Sequence, residues 1–260
     1  VSQCASGMKD MGVSEMDRVA AVIPNCPEAV IGLLAASSIG AIWSSCSPDF
    51  GIKGINDRLG QISPKILITV NAYHYNGKEH DCLTKIREVT KLIPSIEAVY
   101  VVPFTETEIE FQGNEKPWTE LLDYSINTTI FAQLPFDHPL YILYSSGTTG
   151  LPKSIVHGAG GCLLRHLTEH RYHSDINPGD RVFYFTTCGW MMWNWLVSSL
   201  ASGATIILYD GAPTFPDAGR MWKLIDEQQI THFGTSPKFL GAVNKAGYSP
   251  RKNNQLNSLK

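Results

Sequence analysis

The chain has 260 residues, 43% of them hydrophobic, and a formal net charge of −3. That apolar content suffices for one large core or two modest ones, so a globular chain is expected. A mildly acidic surface attracts neither nucleic acid nor an anionic membrane, which excludes both as expected partners and requires any anion to be held locally.

Residues 2–11 read as the end of a helix already under way, and with Val1 at the start they suggest a fragment of a longer protein. Arg18-Val19-Ala20-Ala21-Val22-Ile23 is strand-like, Pro24-Asn25-Cys26-Pro27 turns, and 28–39 is an apolar helix ended by Gly40. Ala41-Ile42-Trp43 is short and apolar, and 52–62 is helical with a stripe at Ile55, Leu59 and Ile62. A strand over 65–70, a polar loop over 71–80, a helix over 83–92 and a strand over 96–102 follow. Residues 105–133 are polar and irregular, and a subdomain boundary is placed after them. Beyond it come strands at 139–144 and 154–157, a helical stretch over 158–173 and a strand over 182–185. An aromatic-rich helix over 190–200 leads to a strand over 204–209, then a helix over 217–229, a strand over 231–233 and a helix over 237–245. This alternation predicts an α/β fold of parallel-sheet layers flanked by helices. It gives a first α/β subdomain over 1–134, truncated at its N-terminus, a second over 135–247, and a patternless, disordered tail over 248–260.

The apolar window 29–43 is interrupted by Ser37 and Ser38 and falls short of the ~20 residues that cross a bilayer. The six cysteines, Cys4, Cys26, Cys46, Cys82, Cys162 and Cys188, include no C-x-x-C pair, which fits reduced thiols in the cytosol. Asn127-Thr128-Thr129 is a formal glycosylation sequon, expected to be silent without a secretory leader.

The densest chemistry lies in Tyr144-Ser145-Ser146-Gly147-Thr148-Thr149-Gly150-Leu151-Pro152-Lys153-Ser154. Gly147 and Gly150 let the backbone turn consecutive N–H groups toward an anion. The hydroxyls of Ser145, Ser146, Thr148, Thr149 and Ser154 add neutral donors, and Lys153 adds a flexible positive charge. A Walker-type loop requires Gly-Lys before a helix; here Pro152 holds that glycine's place and a strand follows. A flexible surface hairpin of the same composition is the plainer alternative. His166-Leu167-Thr168-Glu169-His170 matches the H-x-x-E-H pattern, but a zinc site needs a third protein ligand and an open position, and no recognisable residue beyond His173 supplies the ligand. No metal ligand is assigned; a metal assay separates that alternative.

In order as well as composition, 144–153 resembles the phosphate-binding signature Tyr-Ser-Ser-Gly-Thr-Thr-Gly-x-Pro-Lys of adenylate-forming enzymes, the family of acyl-CoA synthetases, luciferases and peptide-synthetase adenylation domains. It matches at every fixed position. Thr187-Cys188-Gly189-Trp190, Leu200-Ala201-Ser202-Gly203-Ala204-Thr205, Asp210-Gly211, Phe215-Pro216, Met221-Trp222 and Thr231-His232-Phe233-Gly234-Thr235-Ser236-Pro237 extend the resemblance over about residues 13 to 245. Within the family the likeness is to ligases of acetoacetate, chiefly through Cys188-Gly189-Trp190-Met191-Met192-Trp193-Asn194-Trp195-Leu196.

The resemblance implies part of the N-terminal domain of such an enzyme, with ATP, Mg2+ and CoA as cofactor and cosubstrates and acetoacetate as the acid. Acetate, propionate or another short acid is the alternative, as is a nucleotide-binding fragment without turnover. In the family the carboxylate attacks the α-phosphate of Mg·ATP, pyrophosphate leaves, and the CoA thiol cleaves the acyl-adenylate. By that resemblance Ser145, Ser146, Gly147, Thr148, Thr149, Gly150 and Lys153 bind ATP, with Lys153 and Thr148 the catalytic groups. Lys78, in Tyr75-Asn76-Gly77-Lys78, is the partial match to a turn that meets the nucleotide end of CoA. Trp190, Met191, Met192 and Asn194 surround the acid. The family's adenine, ribose and catalytic-lysine motifs are not among these residues, so the chain alone is expected not to form acyl-adenylate at a useful rate.

Overall fold

The computed structural model describes residues 1–129, 131–145 and 150–260. The chain divides into two compact units: Val1–Tyr73 with His80–Cys162, and His74–Glu79 with Leu163–Lys260.

Unit 1 holds helix α1 (Ser2–Asp10), strand β1 (Arg18–Val22), α2 (Pro27–Ser38), β2 (Ile42–Cys46), α3 (Ile52–Leu59) and β3 (Ile66–Val70). The hairpin β4 (Ala72–Tyr75) and β5 (Lys78–Asp81), whose residues His74–Glu79 belong to unit 2, precedes α4 (Leu83–Leu92), β6 (Ala98–Val102) and β7 (Glu115–Pro117). A 3-10 turn at Trp118–Leu121, then β8 (Pro139–Ser145) and β9 (Lys153–Gly158), complete it. Among the described residues seven strands form one sheet in the order β7-β6-β3-β1-β2-β8-β9, parallel except for the last pair. Every residue of β2, β3 and β6 is buried, the continuous apolar pattern of a parallel sheet covered on both faces. On one face Ile55 and Leu59 of α3 and Leu83, Ile86 and Val89 of α4 meet Ala20, Val22, Leu67 and Val99. On the other α2 approaches so closely that a Cβ at Gly32 would stand 2.8 Å from the Trp43 ring. Polar residues inside the sheet are satisfied: Thr69 Oγ1 donates to the Val22 carbonyl (2.9 Å), and Trp43 Nε1 donates to Ser45 Oγ (3.0 Å).

Unit 2 contains α5's later residues (the helix spans Ala159–Thr168), a π-helical turn Glu169–His173, β10 (Arg181–Tyr184), α6 (Met191–Ser198) and β11 (Thr205–Ile207). It continues through α7 (Arg220–Gln228), β12 (His232–Gly234), α8 (Pro237–Lys245) and α9 (Pro250–Asn253). Its three described strands run parallel in the order β11-β10-β12. Alternation along β10 sends Phe183 into a cluster with Met221, Leu224, Ile225 and Phe239, and Val182 into one with Ile176 and Leu196.

Three expectations differ. The boundary lies at Cys162/Leu163 rather than after 134, because β8 pairs in parallel with β2 and carries β9 into unit 1's sheet. The polar stretch 71–80 is a hairpin, with Asn76 and Gly77 at φ 52° and 75° as a two-residue connection of this kind requires. The tail 248–260 is packed: Leu256 and Leu259 lie on the Phe183 cluster. Its backbone is held as well, since Gln255 N and Leu256 N donate to the Asp226 carboxylate (2.9 and 2.7 Å) and Lys260 N to the Thr231 carbonyl (3.0 Å). Two leucines three residues apart are too sparse a pattern to read, and the partners that secure them are remote in sequence.

Candidate active site

In unit 1, β8 delivers the glycine-rich segment and β9 receives it. Tyr144 faces Ser154 and Ser145 faces Lys153 across the antiparallel pair, so the two ends of the loop are fixed in register. Tyr144 is further anchored, its hydroxyl 3.0 Å from Ser44 Oγ. Burial pushes the Tyr144 phenol well up, so it remains a neutral hydrogen-bonding group. Ser146, Gly147, Thr148 and Thr149 lie outside the described residues. Gly150 has φ 107°, in the region that a side chain resists, and nothing lies within 4 Å of where a Cβ would stand. The glycine is therefore demanded by backbone angle rather than by space. Lys153 is exposed at the first position of β9. Sequence reasoning missed Gln61, which reaches this place from the turn after α3. Its Nε2 donates to the Pro152 carbonyl (2.8 Å) and its Oε1 accepts from Ser154 Oγ (3.3 Å).

In unit 2, α6 and the parallel strands wall a cavity of about 650 Å3 lined by Met191, Met192, Trp195, Tyr184, His232 and Phe233 among others. Met191 and Met192 lie four and three positions before Trp195, so each neighbours it on the surface of α6. Arg165, His166, Glu169 and Lys260 also reach the lining, so groups of both signs edge an apolar chamber. Lys260 is tied to Asp180 (2.6 Å), and Arg165 pairs with Glu169. Burial works against the Asp180 carboxylate, but Lys260 and the Asn177 N–H more than offset it and hold its pKa below the ordinary value.

Of the residues predicted to hold the acid, Met191 and Met192 are on the cavity wall. Trp190 caps α6, 58% exposed and outside the lining. Asn194 is buried behind the wall, and neither atom of its amide has a partner. Trp193 is fully buried in the core, and Trp195 stands on the wall. Lys78 stands exposed at the start of β5, beyond a turn whose Gly77 would place a Cβ 2.6 Å from the Phe215 ring.

The H-x-x-E-H histidines have structural partners. His166 Nδ1 lies 2.7 Å from Ser198 Oγ, and His170 Nε2 lies 3.0 Å from the Trp195 carbonyl. No group of three or more His, Cys, Asp or Glu side chains able to hold a metal occurs among the described residues.

The family model described as AMP-binding enzyme matches residues 1–260. The chain belongs to the AMP-binding enzyme family. Acetoacetyl-coenzyme A synthetase of Rhizobium meliloti (strain 1021) is 47% identical to this AMP-binding enzyme chain over 264 residues, covering 100% of the chain and 40% of that protein. Acetoacetyl-CoA synthetase of Xenopus tropicalis is 44% identical over 268 residues with the same coverage. A malonamoyl-CoA synthetase of Penicillium aethiopicum is 44% identical over 271 residues, covering 96% of the chain and 37% of that protein. The structure of acetoacetyl-CoA synthetase from Streptomyces lividans superposes with a TM-score of 0.94 at 42% identity, covering 100% of the chain and 40% of that structure. The chain thus spans about 40% of the length of the curated relatives it matches.

Proposed function

We propose that the intact protein is an ATP-dependent acid–thiol ligase that converts acetoacetate, through acetoacetyl-adenylate, to acetoacetyl-CoA. The observation that carries the reading is a likeness to acetoacetyl-CoA synthetases that runs the whole length of this chain in sequence and in structure. A cytosolic setting and a place in lipid and ketone-body metabolism belong to the same reading, with acetoacetate, ATP and CoA as the partners.

The reaction needs no protein nucleophile, because the substrate carboxylate attacks the α-phosphate itself. The protein brings together two anions that repel each other and offsets charge on the departing pyrophosphate. Ser145, Ser146, Gly147, Thr148, Thr149 and Gly150 are assigned to the phosphates, with Lys153 and Thr148 opposite the developing charge and Lys78 toward CoA. The antiparallel β8–β9 register supports this assignment, since it fixes Lys153 at the end of the loop opposite Ser145. Mg2+ would arrive with ATP. The described residues gather no carboxylate cluster that could hold it.

Met191 and Met192 are assigned to the acid's apolar end, with Trp190 at the edge. The proteins this chain resembles are named for acetoacetyl and malonamoyl groups, which share a carbonyl β to the carboxylate. Asn194 is assigned to that carbonyl, although it stands behind the cavity wall rather than in its lining. A buried amide without partners costs free energy, about 1–3 kcal/mol per unpaired group, unless something meets it, and a β-carbonyl can accept from its N–H. The test is a rate comparison in the intact protein. Acetoacetate should be activated at least tenfold better, in kcat/KM, than butyrate, which keeps the chain length and lacks the carbonyl. Equal rates with butyrate, acetate and propionate would replace the proposal with a general short-acid ligase.

A further inference from the structure

We infer that Gln61 is a positioning residue for the phosphate-binding loop, an inference that rests on the reading of Lys153 as a phosphate-binding group. Gln61 lies in the turn following α3, some ninety positions before its partners, and clamps both neighbours of Lys153 at once. Its Nε2 donates to the carbonyl of Pro152 (2.8 Å), and its Oε1 accepts the hydroxyl of Ser154 (3.3 Å). A second Nε2 hydrogen reaches the Asp57 carbonyl (2.5 Å), and Gln61 N donates to the Arg58 carbonyl (3.1 Å). The amide is thus held by its own helix while it holds the loop. Arg58, on the same helix, is fixed in turn by the Phe50 ring 4.2 Å from its guanidinium carbon and by the Gly54 carbonyl (2.8 Å).

The geometry matters because, among the described residues, β9 is the last strand of its sheet and pairs with β8 alone. Without a brace, the segment 150–153 would be held at its far end alone by the β8 ladder. An edge strand entered through a glycine at φ 107° has little intrinsic stiffness. A side chain bonded to residues 152 and 154 fixes the backbone from which the Lys153 side chain departs, and so restricts where its ammonium can swing. Preorganisation of that kind favours binding of a charged ligand by reducing the ordering required when it arrives. Gln61 and Ser154 are exposed, so the clamp contributes little to global stability and its effect falls on nucleotide affinity.

The experiment is acetoacetate-dependent ATP–pyrophosphate exchange by the intact protein and its Gln61→Ala, Ser154→Ala, double and Lys153→Ala variants. Gln61→Ala should raise the KM for ATP about three- to tenfold, leaving the KM for acetoacetate and the thermal midpoint where they were. Ser154→Ala should give a smaller rise, and the double variant no more than Gln61→Ala alone, because both remove one clamp. An unaltered ATP KM in Gln61→Ala, beside a Lys153→Ala that is impaired, would overturn the inference while sparing the ligase reading. A Gln61→Ala that melts earlier and loses both substrates equally would assign the residue to the fold and overturn it as well. An unimpaired Lys153→Ala would remove the reading on which the inference rests.

Discussion

His170 is wholly buried in unit 2, its Nε2 donating to the Trp195 carbonyl at 3.0 Å and its ring edge-on to the Trp195 indole at a centroid distance of 4.5 Å. Burial pushes its imidazole below the ordinary 6.5, more than the Trp195 carbonyl and Glu169 push it up. Above pH 6.5 both folded and unfolded chains carry the neutral ring, and the group contributes no pH dependence. As pH falls below 6.5 the unfolded chain takes up the proton first, so stability declines until the folded-state pKa is reached, by at most about 1.4 kcal/mol per pH unit. His170→Gln should therefore lose less of its thermal midpoint than the unaltered protein between pH 7.5 and 5.5; equal losses would show that this ring does not titrate on unfolding. At this scale the sequence was partly readable. The family resemblance points to Met191 and Met192, which stand on the cavity wall, whereas Trp195, one turn further along the helix, carries no mark that separates it from a core aromatic. Gln61 carried no signal, because its partners are 91 and 93 positions away and a lone exposed glutamine in a turn looks like any other.

The elements were the most legible part of the chain. Helices over 83–92 and 237–245 stand where their patterns place them, and β3 and β6 differ from expectation only at their first residues, because continuous apolar runs between turn residues are strong signals. β7 had no such signal: it is three residues long, and Glu115 is buried there against Arg87, whose Nε donates to it at 2.8 Å. The β4–β5 hairpin did carry one, Asn76-Gly77, but the polar strands around it concealed it. The π-helical turn at Glu169–His173, which continues α5, has no sequence mark at all. Close approach between elements gives a signed prediction. Gly-to-Ala exchange inside a helix ordinarily stabilises by roughly 0.5–1 kcal/mol. That should hold for Gly161→Ala in α5, where nothing lies within 4 Å of the new Cβ. It should reverse for Gly7→Ala in α1, whose Cβ would fall 2.0 Å from the Leu121 carbonyl oxygen, with a loss of about 1–3 kcal/mol from overpacking. Denaturant midpoints that move the same way for both would refute the claim that α1 is seated against the Trp118–Leu121 turn by its glycine.

For the molecule as a whole, the α/β class with its mostly parallel sheet was legible, and so was the family, because a fixed-order string of glycines, hydroxyls and a lysine is far more specific than composition. The division into units was not: it depends on which sheet β8 and β9 join, a pairing between strands about a hundred residues apart. The packed tail was invisible for a similar reason, since Asp226, Ile230 and Asp180 hold it from afar. The central claim of the proposed chemistry is that the lysine opening β9 stabilises the adenylation transition state. The most direct measurement is acetoacetate-dependent exchange of labelled pyrophosphate into ATP by the intact protein and by Lys153→Ala. The account predicts a fall of about 100-fold in kcat/KM with an unchanged thermal midpoint; exchange within twofold of the unaltered protein would contradict it.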